Sequence, residues 1–310
     1  MAAKKSFKES ARRFYRGYRS GRIRVGHSLV KDFLGLWLGR EQEVCLRSGL
    51  KLQLDLSKKA QAGIFWFDGD ADVALAWAIR ELVPVGGVFI DCGANCGLMG
   101  LQACQCRQAS VIFIEPHPRL AKSIEANIRL NRFETRAELI EAAASDTSGE
   151  VTFYENPTGD DGTHSIHEDW AKGEKRVLGK VRCETLKGIV ERKRLPQVDF
   201  LKVDAEGNDY AVLQGLGEYL RPSFARLVYV EMVRDRESIC ALMASRGYVG
   251  FVTVPRRGRE LVRLQQVADQ GRRACFFQPL SGSGAGLNAL WCGKDSAVAD
   301  YLYASSATPG

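Results

Sequence analysis

The sequence predicts an α/β fold: a mostly parallel seven-stranded sheet with helices on both faces, preceded by an N-terminal extension. Three observations predict it. Residues 88–97, Val-Phe-Ile-Asp-Cys-Gly-Ala-Asn-Cys-Gly, read as a buried strand, a glycine turn and a helix start. From Val88 onward, short apolar runs alternate with segments of helical period, the pattern of parallel strands joined by crossover helices. Acidic residues end the first, second and fourth of these strands: Asp91, Glu115 and Asp204. Ligands of such sheets sit beyond the carboxyl ends of the strands, so these acids mark the site.

The first 40 residues form a basic arm. Lys4, Lys5, Lys8, Arg12, Arg13, Arg16, Arg19, Arg22 and Arg24 are interleaved with Phe7, Phe14, Tyr15 and Tyr18. This segment carries a local charge of +9 in a chain whose net charge is +7, so the remaining residues sum to −2. Basicity is a property of the arm and not of the fold. Ser28 can cap a short helix holding Leu29, Val30, Phe33, Leu34, Leu36, Trp37 and Leu38, an apolar run too short to span a bilayer. Two readings stand: an amphipathic arm in peripheral contact with an anionic membrane, and a helix packed on the domain behind a solvated basic tail.

Residues 41–87 read as a hairpin and a helix leading into the core. Residues 44–56 alternate around Gly49, and residues 71–83 place Val73, Leu75, Ala76, Ile79 and Leu82 on one helical face. The ligand-binding domain spans residues 88–302. Its second strand is Val111–Glu115, followed by a helix over Arg119–Asn131; its third strand is Glu138–Ala144. Val151–Tyr154 and Val181–Cys183 form a short antiparallel excursion flanking the polar loop Glu155–Lys180. The fourth strand is Asp199–Asp204 with a helix over Asp209–Leu220, and the fifth is Leu227–Met232. A helix over Glu237–Arg246 stops at Gly247. Tyr248–Val254 and Asn288–Cys292 complete the sheet. Between them lie Arg256, Arg257, Arg259, Arg263, Arg272 and Arg273 and a Gly-Ser-rich stretch, Ser281–Gly286, and residues 303–310 form a disordered tail.

Charged and apolar fractions are those of an ordinary globular protein. Nine cysteines, an odd number, accompany a basic N-terminus that no apolar signal core follows. The expectation is a cytoplasmic, reducing setting with free thiols. Cys92, Cys96, Cys104 and Cys106 crowd one region without paired zinc-knuckle spacing, which predicts small hydrophobes around the first strand.

The glycine turn lacks G-x-G-x-x-G and thus departs from dinucleotide dehydrogenases. Asp91, Gly93, Asn95 and Gly97 resemble the first motif of class I S-adenosylmethionine-dependent methyltransferases, D/E-x-G-x-G-x-G, with Asn95 in place of the middle glycine. Asparagine tolerates left-handed backbone better than most residues. An acid at this strand end suits a ligand carrying an ammonium and a sulfonium and repels a pyrophosphate. Glu115, about 20 residues past the turn, stands where a carboxylate holds a ribose diol. Pro116 and His117 follow it, and Ala142–Ala144, with Ala143 central, leave room for a flat adenine. At the fourth strand end, Asp204 and Glu206 are placed to accept a hydroxyl proton, while a salt-bridged scaffold role for Glu206 stays open. His164, Ser165, His167, Glu168 and Asp169 lie in the polar loop; His164 is a further candidate base, and no established metal signature is present.

The set Ile-Asp-Cys-Gly-Ala-Asn-Cys-Gly, Ile-Glu-Pro-His-Pro and Asp-Phe-Leu-Lys-Val-Asp-Ala-Glu-Gly, with Leu213-Gln-Gly and Val230-Glu-Met, resembles the FkbM-type methyltransferases over residues 43–250. The resemblance implies a Rossmann-like class I fold and S-adenosylmethionine-dependent O-methylation of a hydroxyl on a glycan, lipid-linked sugar or secondary metabolite. It implies that Asp91, Gly93, Asn95, Gly97 and Glu115 hold the cofactor and that Asp204 and Glu206 line the catalytic end; Ala94, Pro116, His117 and Ala143 join the cofactor candidates by their positions beside these residues. Asp204, Glu206 and His164 are then the catalytic candidates. Cys92 and Cys96 stand where the family usually has aliphatic residues. Two alternatives remain. A nucleic-acid methyltransferase would suit the basic arm, but Asp-Ala-Glu-Gly occupies the position of the N/D-P-P-Y turn used for amino-group methylation of bases. A non-catalytic adapter of the same fold has no physical need for three acids at one rim.

Overall fold

The computed structural model describes residues 40–69, 72–156, 162–170, 175–253, 277–280 and 288–306. The basic arm up to residue 39, the arginines of 256–273 and the Gly-Ser-rich stretch lie outside them.

The chain enters through a hairpin, β1 (Glu41–Cys45) and β2 (Lys51–Asp55), in which Val44, Leu52 and Leu54 face inward and their neighbours outward. The outer edge of β2 does not join the main sheet. Asparagine side chains of α4 (Pro118–Asn131) close it instead: Gln53 N–H donates to Asn127 Oδ1 at 2.7 Å, and Lys51 N–H to Asn131 Oδ1 at 2.9 Å. These contacts satisfy an edge that would otherwise offer free pairing groups. Two helices follow, α1 (Lys59–Phe67) and α2 (Val73–Leu82). The second was expected. The first was not, because its apolar residues surround the whole helix and show no single-face period. Asp72 caps α2 by accepting from Leu75 N–H, and Tyr229 of the sheet donates its hydroxyl to the same carboxylate at 2.7 Å. That contact ties the extension to the core.

The main sheet has eight strands where seven were expected. Their spatial order is β12 (Phe277–Pro279), β11 (Tyr248–Thr253), β13 (Asn288–Gly293), β10 (Ala225–Glu231), β9 (Val198–Val203), β3 (Val88–Cys92), β4 (Ser110–Ile114) and β5 (Ala137–Ile140). The strands from β10 to β5 are parallel, whereas β13 runs antiparallel to both its neighbours. The added strand, β12, has only three residues and sits at the edge, too short to show a period. Strand order reverses at β3, which has β4 on one side and β9 on the other. The crevice beyond that pair is where the topology places a ligand.

The expected third strand divides after Ile140. Residues 137–140 stay in the main sheet, and β6 (Ala143–Ser145) leaves it to pair with β8 (Arg176–Thr185), which also pairs with β7 (Gly149–Glu155). The antiparallel excursion is therefore a three-stranded sheet standing beside the crevice. On the main sheet lie α3 (Leu98–Arg107), α4, α5 (Leu186–Lys193), α6 (Asp209–Gln214), α7 (Arg236–Ser245) and α8 (Ala297–Ser306). Helix α6 stops well short of the expected Leu220, since Gly215 and Gly217 interrupt it and only a 3-10 turn follows. Residues 303–306, expected in a disordered tail, are the last turn of α8; residues 307–310 lie outside the described residues.

Two apolar clusters fill the two faces of the sheet. One joins the extension, α3 and α4 to Phe89, Phe113 and Phe200; the other joins α5, α6 and α7 to Ile90, Leu201 and Val228. Cys92, Cys96 and Cys104 are buried as free thiols, and burial pushes the Cys104 thiol up to about 12. They pack as small hydrophobes. Among the described residues, no helix is long and apolar enough to cross a membrane.

Candidate active site

The glycine turn is built by close approach of two strand ends. Gly93, directly after β3, has φ of +71°, and a Cβ there would lie 1.8 Å from the Asp204 carbonyl oxygen. Only glycine lets the ends of β3 and β9 meet. Gly93 and Ala94 N–H both donate to the Ile114 carbonyl at the end of β4. Asn95 takes the left-handed conformation at φ +54°, and its N–H donates to Glu115 Oε2 at 2.8 Å.

Asp91, expected to face the ligand, is fully buried behind the turn. Its Oδ2 accepts from Gly100 N–H of α3 at 2.9 Å, and its Oδ1 pairs with the Lys202 ammonium at 3.2 Å. Lys202 also donates to the Gly93 carbonyl at 2.8 Å and pairs with Asp204 at 3.3 Å. Burial disfavours charge on Lys202, but Asp91 and Asp204 outweigh it and hold the ammonium above its ordinary range. Sequence reasoning gave Lys202 no role. The available signal was a lysine inside the fully buried run Val198–Val203.

Glu115 is held by two backbone donors, Asn95 N–H and His117 N–H, the latter at 2.9 Å to Oε1. Burial outweighs these bonds and pushes its carboxyl up to about 7. His117 caps α4 by accepting from Arg119 N–H at Nδ1, while its Nε2 lies 3.3 Å from Glu155.

The polar loop is anchored to the turn between β9 and α6. Ser165 exchanges backbone hydrogen bonds with Tyr154, and its hydroxyl donates to the Glu206 carbonyl at 2.7 Å. Trp170 Nε1 donates to Glu206 Oε2 at 2.8 Å, and its ring packs on Gly207, where a Cβ would lie 2.4 Å from it. His167 Nε2 lies 3.2 Å from Asn208 Oδ1. Asp209 accepts from Ala205 and Gly207 N–H and shapes the turn from inside.

The three catalytic candidates differ in protonation. His164 is buried, its Nδ1 accepts from Asn156 N–H at 3.1 Å, and burial with the charges of His117 and Arg119 pushes the imidazole down to about 3. It is a neutral ring whose proton sits on Nε2, so it has no free nitrogen with which to act as a base. Glu206 is raised by burial and then by Asp204 and Glu231, which favours its protonated, donor form. Glu231, at the end of β10, is raised by burial, Asp204 and Asp209, and sequence reasoning gave it no role. Asp204 remains, 39 % exposed at the rim with Lys202 behind it.

One cavity gathers Gly93, Asn95, Glu115, Pro116, Ala143, His164, Asp204 and Glu206, and Leu120, Ala142, Phe153, Ser165 and Asn208 also line it. Asp91, Ala94, Gly97 and His117 are buried around it and do not line it. Among the described residues, no group of three or more His, Cys, Asp or Glu side chains is arranged to hold a metal ion.

Residues 91–249 match the family model described as the methyltransferase FkbM domain. The chain belongs to the FkbM methyltransferase family. This FkbM protein is thus an S-adenosylmethionine-dependent methyltransferase, as its motifs implied. It is 25 % identical over 178 residues to the hexuronic acid methyltransferase AglP of Haloferax volcanii, covering 56 % of this chain and 69 % of that one. Among solved structures it is similar to M. jannaschii TYW2 in complex with AdoMet, with a TM-score of 0.40 and 12 % identity over 71 % of this chain and 81 % of that one. It is also similar to P. horikoshii TYW2 in complex with MeSAdo, with a TM-score of 0.39 and 13 % identity over 71 % and 67 % of the two chains. Likeness at that distance says nothing about the acceptor of the FkbM protein.

Proposed function

We propose that this protein methylates a hydroxyl of a glycan, lipid-linked sugar or secondary metabolite, with Asp204 receiving the hydroxyl proton. The residues around the cavity fit S-adenosylmethionine. The Gly93 backbone lines the cavity, Glu115 offers acceptor lone pairs to a ribose diol, and Pro116, Ala142 and Ala143 bound a slot without bulky side chains. When bound, the cofactor supplies an electrophilic methyl on a cationic sulfur that leaves with the electron pair of the C–S bond.

Asp204 carries the reading. It stands at the cavity rim beside the glycine turn, and Lys202 holds it from behind. As the acceptor oxygen forms its new bond to carbon, the hydroxyl proton passes to the Asp204 carboxylate. Glu206, in its protonated form, donates a hydrogen bond to a neighbouring acceptor oxygen and so orients it. Asp91 acts indirectly: it neutralises Lys202 and fixes the start of α3. The sugar class draws support from the relative whose name specifies a hexuronic acid. Incubation with S-adenosylmethionine and a panel of uronic acids, neutral hexosides and lipid-linked sugars, read by mass spectrometry for the added methyl, tests it. Methyl ethers on hydroxyls are expected. Methylation of nucleic acid or of an amine alone would overturn the reading.

A further inference from the structure

One polar atom of the cavity has no use in this scheme. His164 is 8 % exposed, and its Nε2 is buried with no hydrogen-bond partner among the described residues. The other ring nitrogen is committed, since Nδ1 accepts from Asn156 N–H, so Nε2 carries the proton. A buried N–H without an acceptor is rare in folded proteins. The ring is part of the cavity wall. Its centroid is 4.7 Å from that of His117, which follows Glu115 and Pro116, and 6.5 Å from that of Phe153. Pro116, Leu120, Ala142, Ala143 and Phe153 line the same cavity. A donor beside these apolar walls suits a flat ligand with an acceptor in its plane.

We propose that His164 determines base specificity, donating from Nε2 to an acceptor nitrogen of the adenine ring. The inference rests on the cofactor placement proposed above and adds the atom that distinguishes a purine with a free ring nitrogen from any other flat group. The surrounding fold supports the assignment. Ser165, next in the chain, is pinned to Glu206, and Tyr154 pairs with Ser165 from the other side, which holds the backbone that carries the ring, while the Asn156 N–H on Nδ1 holds the ring itself. Burial first, then the charges of His117 and Arg119, outweigh Glu155 and disfavour protonation of the imidazole, which keeps one nitrogen as donor and the other as acceptor.

Calorimetric titration of the full chain tests this with S-adenosylhomocysteine and with the three analogues in which one acceptor nitrogen of the adenine is replaced by C–H. One analogue is expected to bind the wild type about 5- to 100-fold more weakly than the parent, the effect of leaving a buried donor unpaired. His164→Phe, which keeps a flat ring and removes the donor, is expected to erase that difference, and His164→Gln to restore part of it. Equal affinity of all four ligands for the wild type overturns the proposal, as does a difference that persists in His164→Phe. If His164→Phe does not fold, the wild-type series decides alone. Absence of any S-adenosylhomocysteine binding by the wild type overturns the cofactor placement itself, and with it this assignment.

Discussion

Lys202 of β9 and Asp204, just beyond its end, face the same way, and the ammonium of the first lies 3.3 Å from the carboxylate of the second while also reaching Asp91 at 3.2 Å. One buried cation therefore serves two acids, one locked in the core and one open to the ligand. The pairing joins the glycine turn to the proposed base, because the same ammonium donates to the Gly93 carbonyl.

Replacing Lys202 by methionine keeps the length of the side chain and strands both acids. Breaking a buried ion pair from one side costs about 3–5 kcal/mol, since the charge left behind has no partner. Urea denaturation of Lys202→Met is expected to show a loss of that size. Adding Asp91→Asn is expected to recover part of it, because the buried anion is then gone. Additive losses in the double variant would show that the pair is not coupled.

Glu115 gives the cofactor site a pH dependence of definite sign. Its folded pKa of about 7 lies above its ordinary 4.5. Its contribution to the stability of the ligand-free protein is thus complete below the lower value and is lost as pH rises through the upper one. A ribose diol donates to the ionised carboxylate, so binding favours the ionised form. Affinity for S-adenosylhomocysteine is expected to rise between about pH 6 and pH 8, with net proton release seen by calorimetry in buffers of different ionisation enthalpy. Glu115→Gln is expected to abolish the proton release and to weaken binding by about 1.5–3 kcal/mol.

The sequence made the frame legible where local chemistry is insistent. The turn from Asp91 to Gly97 was readable because a tight strand-to-helix turn demands glycine. Glu115 and Asp204 were readable because packing alone seldom puts an acid at the end of an apolar strand. Partnership was not legible. Asp91 reads as a ligand-facing acid until Lys202, more than a hundred residues away in the chain, is seen to neutralise it. His164 reads as a base until the Asn156 amide is found on Nδ1. Asn127 reads as an exposed helix residue, yet it closes the edge of β2 and donates to the Cys96 carbonyl in the glycine turn. The strand β12 and helix α1 escaped for a different reason: one is too short and the other too uniformly apolar to show a period.

The close approach at Gly93 predicts intolerance of even one added methyl. Gly93→Ala places a Cβ against the Asp204 carbonyl and forces a left-handed alanine. Overpacking costs about 1–3 kcal/mol and the backbone about 1–2 kcal/mol more. Gly86 has a similar φ, +73°, with nothing within 4 Å of its added Cβ, so Gly86→Ala isolates the backbone share. Thermal denaturation is expected to rank wild type, Gly86→Ala and Gly93→Ala in falling order. Equal losses in the two variants would remove the steric argument.

Asp204→Asn tests the chemistry most directly. Asparagine keeps the shape and the contact with Lys202 but has no basic oxygen able to take a proton from a hydroxyl. Turnover is expected to fall about 10²–10⁴-fold, the usual effect of losing a general base, while S-adenosylhomocysteine affinity stays near that of the wild type. If Asp204 instead holds the cationic cofactor, the order reverses. S-adenosylmethionine then binds more weakly than its neutral-sulfur product, and the single-turnover rate at saturation is preserved. Glu206→Gln separates the two acids. Because burial favours the protonated form of Glu206, its amide analogue still donates, and the rate is expected to fall less than in Asp204→Asn. A larger loss in Glu206→Gln than in Asp204→Asn would transfer the base to Glu206. Its hydrogen bond from Trp170 would then be what tunes it.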